Sequence, residues 1–329
     1  MPDISLLWVV VFLALAFDYI NGFHDTANAI ATSVSTRAIP PQYAVMLAAG
    51  LNFIGALYST GVAKTIGGDI VKSASMVNQQ VIAAALVGAI VWNLLTWWYG
   101  IPSSSSHALV GGVMGAVVMS TGFDALKIAG IQKIFLSLVL SPILAMTTGF
   151  IIMIIMLWIF GRISPSYLNT GFQRAQILSA SMMSFSHGSN DAQKAMGIIT
   201  LALLSSGHIS SLEVPDWVKI SCAVAMGLGT AAGGWKIIKT MGGKIFKLEP
   251  INGFAADINS SLVIFSATLL YLPVSTTHVV AGSLMGVGSA KRVSAVRWGV
   301  ARQMAFAWLI TIPFSAGTSA LVYKLSTLF

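Results

Sequence analysis

Long apolar runs set the pattern of this chain, and polar residues inside them are few. Stretches that reach the roughly 20 residues a bilayer span requires cover 4–36, 42–63, 81–99, 134–160, 175–206, 218–235, 253–271 and 303–323. Two shorter apolar pieces, 104–120 and 276–288, begin shortly after Pro102 and Pro273. The pattern predicts ten helical pieces. The two short ones follow 81–99 and 253–271 closely enough to form helical hairpins.

Composition sets the medium. Of 329 residues, 56% are hydrophobic and 9% are charged, and the mean hydropathy is +0.83. Soluble domains carry about 25% charged residues, so this chain has too little charge to cover an ordinary water-facing surface. Soluble α/β and all-β folds are excluded, and disorder goes with them because it needs low hydrophobicity and high charge. The expectation is an all-α integral membrane protein, multi-pass in the cell membrane and in contact with lipid. No basic segment precedes the first apolar run, which is read as a span and not as a removed signal. The one cysteine, Cys222, excludes an internal disulfide and a cysteine-based metal cluster.

Basic residues gather in two blocks, Lys236/Lys239/Lys244/Lys247 and Lys291/Arg292/Arg297/Arg302. The positive-inside rule assigns both blocks to cytoplasmic loops. The hairpin between them, 253–288, then enters from the cytoplasm. The hairpin of the first half has weaker flanks, with Lys64, Asp69 and Lys72 before it and Asp124, Lys127 and Lys133 after it. It therefore opens to the outside. Run 134–160 leads inward to Arg162 and Arg174, and both termini fall outside. The net charge of +8 belongs to such loops, with no nucleic-acid partner implied.

Two motifs recur in the same order. Gly22-Phe23-His24-Asp25-Thr26-Ala27-Asn28-Ala29 matches Gly188-Ser189-Asn190-Asp191-Ala192-Gln193-Lys194-Ala195 at an offset of 166. Pro102-Ser103-Ser104-Ser105-Ser106-His107 matches Pro273-Val274-Ser275-Thr276-Thr277-His278 at an offset of 171, and Gly111/Gly282 and Gly115/Gly286 continue the match. The chain divides into a first repeat at 1–160, a cytoplasmic connector at 161–174 and a second repeat at 175–329. Duplicated halves of opposite orientation are the architecture of many secondary transporters. The fold class expected is an inverted-repeat secondary transporter with broken helices and two opposed helical hairpins.

Asp25 and Asp191 sit in the middle of apolar runs. A carboxylate at bilayer depth costs at least about 2.5–3.5 kcal/mol, so it is expected to face a cavity, a cation or a basic partner. A break at Gly22 or Gly188 would free backbone carbonyls for a small hard cation such as Na⁺. Asn28 and Asn190 would add amide oxygens. Lys194, which has Asn28 as its counterpart, pairs with Asp191 or touches an anion. His24 fits a ligand, a proton carrier or a hydrogen-bonded packing residue. Asp18 is expected near the same cavity.

Each proline motif ends one helix and caps the next. The free N–H groups and positive dipole end of that next helix attract an anion. Ser104, Ser105 and Ser106, with Ser275, Thr276 and Thr277, add neutral hydroxyl donors. Two such termini, brought together by opposed hairpins, make a cage for a tetrahedral oxyanion. His107 and His278 fit three roles there: orienting hydroxyls, contacting the anion, or packing.

At these motif pairs the chain resembles the inorganic phosphate transporter (PiT) family, over nearly its whole length. The resemblance implies an inverted-repeat carrier that moves inorganic phosphate with a cation, Na⁺ in many members and H⁺ with metal-phosphate in some bacterial ones. It also implies a homodimer. By position, the resemblance implies that Asp25, Asn28 and Asp191 are cation-site or cavity residues, with Asp25 and Asp191 as the Na⁺ carboxylates, and that the six hydroxyl residues hold phosphate. His24 stands where many members have Asn, as Asn190 does here, which keeps proton coupling open. No cofactor and no enzymatic reaction are expected. Na⁺-favoured symport is the main expectation, and a divalent-metal or metal-phosphate transporter is the alternative suggested by His24, His107 and His278. A serine hydrolase built on Ser106 or Thr277 is disfavoured, because a neighbour in sequence does not face its partner as a dyad requires.

Overall fold

The computed structural model describes residues 4–328. Its helices are α1 (Ile4–Ser35), α2 (Pro41–Ala56), α3 (Gly61–Gly68), α4 (Gln79–Tyr99), α5 (Ser105–Thr121) and α6 (Ile128–Phe160) in the first half. The second half holds α7 (Pro165–Ser205), α8 (Asp216–Ala232), α9 (Trp235–Gly243), α10 (Pro250–Leu269), α11 (Thr276–Lys291) and α12 (Trp298–Ser326). Among the described residues no strand forms, and one antiparallel bridge joins Val71 to Leu126. Helices α1, α4, α6 and α12 are long and apolar enough to cross a membrane, and α2 with α3 would add a fifth span bent by 70°. Helix α6 carries an exposed apolar face that includes Phe135, Leu140, Leu144, Ile151 and Trp158.

Among the described residues twelve α-helices replace the ten pieces expected, because two stretches break where the pattern reads as continuous or as loop. The run 42–63 divides after α2. There the Ser59 hydroxyl accepts from the Gly61 N–H, and the Gln193 side chain accepts from Val62 and Ala63. These acceptors satisfy the first donors of α3, so a new helix starts in a new direction. On the other side, Gly233 takes φ +73° and stops α8, which places Lys236 and Lys239 on the short helix α9 instead of in a loop.

Neither α1 nor α7 breaks beside its aspartate. Helix α7 runs unbroken for 41 residues, about 60 Å at 1.5 Å per residue. It accommodates that length at its start, where the exposed turns from Ser166 to Gly171 extend the helix into the stretch expected to be connector. Only 161–164 lies between α6 and α7.

Gly22 and Gly188 are crossing points, not hinges. A β-carbon at Gly22 would lie 2.6 Å from the Met226 carbonyl oxygen of α8, and one at Gly188 would collide with the Asn52 backbone of α2. Small residues let helix backbones approach closely in membrane bundles. The same crossing therefore occurs twice, each time between the first helix of one half and the broken helix of the other. The hairpins exchange partners in the same way. Gly111 and Gly115 of α5 press on the α12 backbone, and Gly282 and Gly286 of α11 press on α6. Each half completes the core of the other.

Candidate functional site

The two hairpin turns meet. The Ser104 hydroxyl accepts from the His107 N–H at 3.1 Å and caps α5, and Ser275 caps α11 by accepting from the His278 N–H at 3.3 Å. Ser106 donates across the gap to the Val274 carbonyl at 2.9 Å. The His107 and His278 rings lie 4.6 Å apart. Trp308 of α12 stacks on His278 at 3.9 Å and donates to the Pro102 carbonyl at 3.1 Å. Two helix N-termini, each the positive end of its dipole, thus converge.

Both aspartates face these tips. Asp25 accepts from Thr277 of the second hairpin at 3.1 Å, and Ser105 of the first hairpin shares its hydroxyl proton between Asn21 Oδ1 at 2.6 Å and Asp25 at 3.0 Å. His24 Nδ1 lies 2.7 Å from the same carboxylate. Asp191 accepts from Thr276 at 3.2 Å and from the Asn21 amide at 3.4 Å, and it ion-pairs with Lys194 at 2.7 Å. Asn28 donates to Thr277 at 2.9 Å, while its amide oxygen has no hydrogen-bond partner among the described residues. All of these side chains are buried. A buried carboxylate needs donors or a counter-charge, and here the hydroxyls, His24 and Lys194 supply them.

Asn190 is placed differently from the expectation. Its amide donates to Thr268 at 3.0 Å and to the Leu272 carbonyl at 3.2 Å, and its oxygen accepts from the Val274 N–H at 3.4 Å. The amide oxygen expected to serve a cation faces the Val274 N–H instead, and both ends of the side chain brace the second hairpin. His24, its counterpart, does the same in the first half, with Nε2 3.0 Å from Thr96 of α4. Thr96 and Thr268 lie near the ends of α4 and α10, the first helices of the two hairpins.

His187, Asn21 and Trp308 were not singled out from the sequence. Ligand atoms of Asp25, His187 and Asp191 lie within 4.8 Å of one another, a geometry that fits a metal ion. His187 stands one helical turn before Asp191, and its counterpart by the 166 offset is Asn21, one turn before Asp25. That spacing on one helix face was the available signal. Asp18 is buried as expected, and neither of its oxygens has a hydrogen-bond partner among the described residues.

The cluster is closed at both hairpin turns. Thr65 of α3 donates to the Tyr271 carbonyl at 2.7 Å, and Thr240 of α9 donates to the Gly100 carbonyl at 3.0 Å. Gly100 and Tyr271 occupy matching turn positions, both left-handed, with φ +66° and +59°. Lys236 strengthens the second closure by donating to the Trp98 carbonyl at 3.0 Å while lying over the Trp98 ring. The short helices thus latch the hairpin of the opposite half.

Known proteins share this organisation. The phosphate transporter family profile matches residues 21–169 and again 162–319. A probable low-affinity inorganic phosphate transporter of Bacillus subtilis (strain 168) is 54% identical over 317 residues, covering 96% of this chain and 95% of that protein. A protein of the same description from Rhizobium meliloti (strain 1021) is 49% identical over 320 residues, covering 97% and 96%. The solved structure of a sodium-dependent phosphate transporter superposes with a TM-score of 0.89 at 26% identity, over 99% of this chain and 100% of that one. With both halves matched and close relatives aligned nearly end to end, this multi-pass membrane protein belongs to the phosphate transporter family.

Proposed function

We propose that this transporter carries inorganic phosphate by symport with a cation, Na⁺ in first place and H⁺ in second. The anion sits at the joined N-termini of α5 and α11, held by their N–H groups and by Ser104, Ser105, Ser106, Ser275, Thr276 and Thr277. Asp25, Asn28 and Asp191 hold the cation, and Lys194 offsets part of the carboxylate charge. His24 and Asn190 position the hairpins. His107 and His278 pack the two tips together. The observation that carries this reading is the set of hydroxyl-to-carboxylate bonds from both tips to Asp25 and Asp191.

Those bonds supply a coupling mechanism. An oxyanion takes the O–H donors of Ser105, Thr276 and Thr277 away from the carboxylates. A carboxylate oxygen released in this way is then a hard ligand for a cation. The cation in turn keeps the hydroxyls pointed at the anion, so each substrate favours the other, as linkage requires. Neutral hydroxyls also grip more weakly than bidentate arginine forks, which suits release and accords with the low-affinity description of the relatives. Alternation follows from releasing one turn latch at a time, with the Thr240 latch on the cytoplasmic side by the positive-inside assignment.

The mixed imidazole and carboxylate set of Asp25, His187 and Asp191 favours one second reading, a metal-phosphate carrier, since imidazole suits transition metals better than Na⁺. Tracer phosphate uptake into proteoliposomes separates the readings. An inward Na⁺ gradient at equal pH is expected to drive saturable uptake. Uptake that needs a divalent metal and a pH gradient, with no response to Na⁺, supports the second reading. No uptake above protein-free vesicles under any gradient overturns both.

The bracing role of His24 gives a further expected result. Asn occupies the matching position in the second half, so His24→Asn is expected to keep uptake within about threefold of wild type, the scale of one neutral hydrogen bond. His24→Leu, which leaves Thr96 and Asp25 without that partner, is expected to lose at least about tenfold. Equal loss in both variants would assign the imidazole a direct part in transport.

A further inference from the structure

A polar cleft lies on the far side of the second hairpin turn from the buried cluster. It encloses about 390 Å³ and is lined by Thr60, Lys64, Thr65, Asp69, Lys133 and Tyr271, among others. Lys127 lies 2.6 Å from Asp69 and also donates to the Gly68 carbonyl, while Lys133 stands 3.8 Å from the second Asp69 oxygen. One carboxylate therefore faces two ammonium groups. Lys64 is exposed and has no ion-pair or hydrogen-bond partner among the described residues. The first N–H groups of α3 are already taken by Ser59 and Gln193. The lysines, not the helix end, give the cleft its charge.

The floor of the cleft is the turn that shuts the central cluster. Tyr271 holds a left-handed conformation that side chains other than glycine adopt sparingly. Its ring packs on Gly61, where a β-carbon would collide with it, and its carbonyl takes the Thr65 hydroxyl. Three residues later, the Val274 carbonyl meets Ser106, and Ser275, Thr276 and Thr277 follow. The corresponding cleft at the first turn includes Lys244 and Thr240, but the neighbouring Lys236 there is committed to the Trp98 carbonyl. The lysine that reinforces the first-turn latch, Lys236, has no counterpart bonded to a turn carbonyl at the Tyr271 end, where Lys64 stands free.

We infer that this cleft is a staging site for a phosphate-class oxyanion, held by Lys64 and Lys133 before the Tyr271 turn opens. The inference rests on the phosphate-carrier reading above. Two lysines against one carboxylate leave the cleft net positive, which concentrates an anion and raises the rate of capture, and salt weakens that effect. Both free phosphate and a lipid headgroup carry the required chemistry.

The test uses the full-length protein in vesicles of neutral lipid, and again in vesicles containing phosphatidylglycerol. Lys64→Gln/Lys133→Gln is expected to raise the half-saturating phosphate concentration roughly fivefold at low ionic strength and to converge on wild type at high salt. An equal rise in both membranes identifies free phosphate as the occupant, and a rise confined to the anionic membrane identifies a lipid headgroup. An unchanged half-saturation in both overturns the site. Binding is read independently of transport by reacting Lys64 with an amine acylating reagent and quantifying the adduct by mass spectrometry. Inorganic phosphate is expected to slow that reaction, equally in Asp25→Asn. Protection without uptake in the wild-type protein counts against the carrier reading alone, and uptake without protection or a half-saturation shift counts against the staging site alone.

Discussion

Asp25→Asn is expected to abolish cation-driven phosphate uptake, with a loss of about a hundredfold or more. The carboxylate of Asp25 accepts from both hairpin tips, Ser105 and Thr277, and lies against His24 Nδ1. An amide of the same shape has a single acceptor oxygen, and its NH₂ group points a donor at groups that themselves donate. It also removes the charge proposed to hold the cation. Taking one partner from a buried charged pair costs about 3–5 kcal/mol, and about 1.4 kcal/mol corresponds to each tenfold change. Asp191→Asn is expected to match it, because Asp191 accepts from Thr276 of the second hairpin and from Asn21 of α1, which in turn accepts from Ser105 of the first. The amides preserve side-chain volume, so both variants should elute as the wild type in size-exclusion chromatography. Uptake that persists in either one removes that aspartate from the cation site.

Lys194→Met should destabilise the protein by about 3–5 kcal/mol, the cost of leaving a buried charge uncompensated. Lys194 and Asp191 are both fully buried and 2.7 Å apart. Methionine fills much of the lysine stem volume but leaves the carboxylate with only neutral donors. The double variant Asp191→Asn/Lys194→Met has no orphaned charge and is expected to recover most of the stability while remaining inactive in uptake. Denaturant or thermal unfolding in detergent, run on the two single variants and the double, measures this directly. Additive losses in the double variant would mean that the pair does not act as a unit.

The sequence carried the membrane class, the duplicated halves and the hydroxyl-rich helix starts, because each is a local or periodic signal. Pro102 and Pro273 mark helix ends by covalent geometry alone, and Ser104 and Ser275 cap the next helices as their residue type favours. Contacts between the halves were not legible. Gly22 and Gly188 look like hinges within one half, and only the approach of α8 and α2 makes them crossing points. The break between α2 and α3 depends on Gln193, 130 residues away along the chain. Asn190 reads as a cation ligand from its place beside Asp191, yet its amide is consumed by the hairpin backbone. His187 was within reach, since it precedes Asp191 by one turn and pairs with Asn21 through the repeat. The motif match itself begins only at Gly188, which leaves His187 outside it.

The hairpin latches show how a duplicated chain becomes a two-sided device. Thr65 and Thr240 each donate to the carbonyl of a left-handed turn residue in the opposite half. The two closures are alike in kind but unequal in strength, because Lys236 reinforces one of them and Lys64 stands free at the other. An exchange of hydroxyl donors between carboxylate and oxyanion would let occupancy of the centre be felt at both turns, since Ser106 and Val274 join the two tips directly.

The most direct measurement is a crystal structure of the protein grown with sodium and arsenate, in which arsenic is located by its anomalous scattering. The arsenic peak is expected between the N-termini of α5 and α11, within hydrogen-bond reach of hydroxyls from both Ser104, Ser105 and Ser106 and Ser275, Thr276 and Thr277. A peak elsewhere in the molecule, or none there in protein that takes up arsenate, would contradict a shared oxyanion site at the joined hairpins.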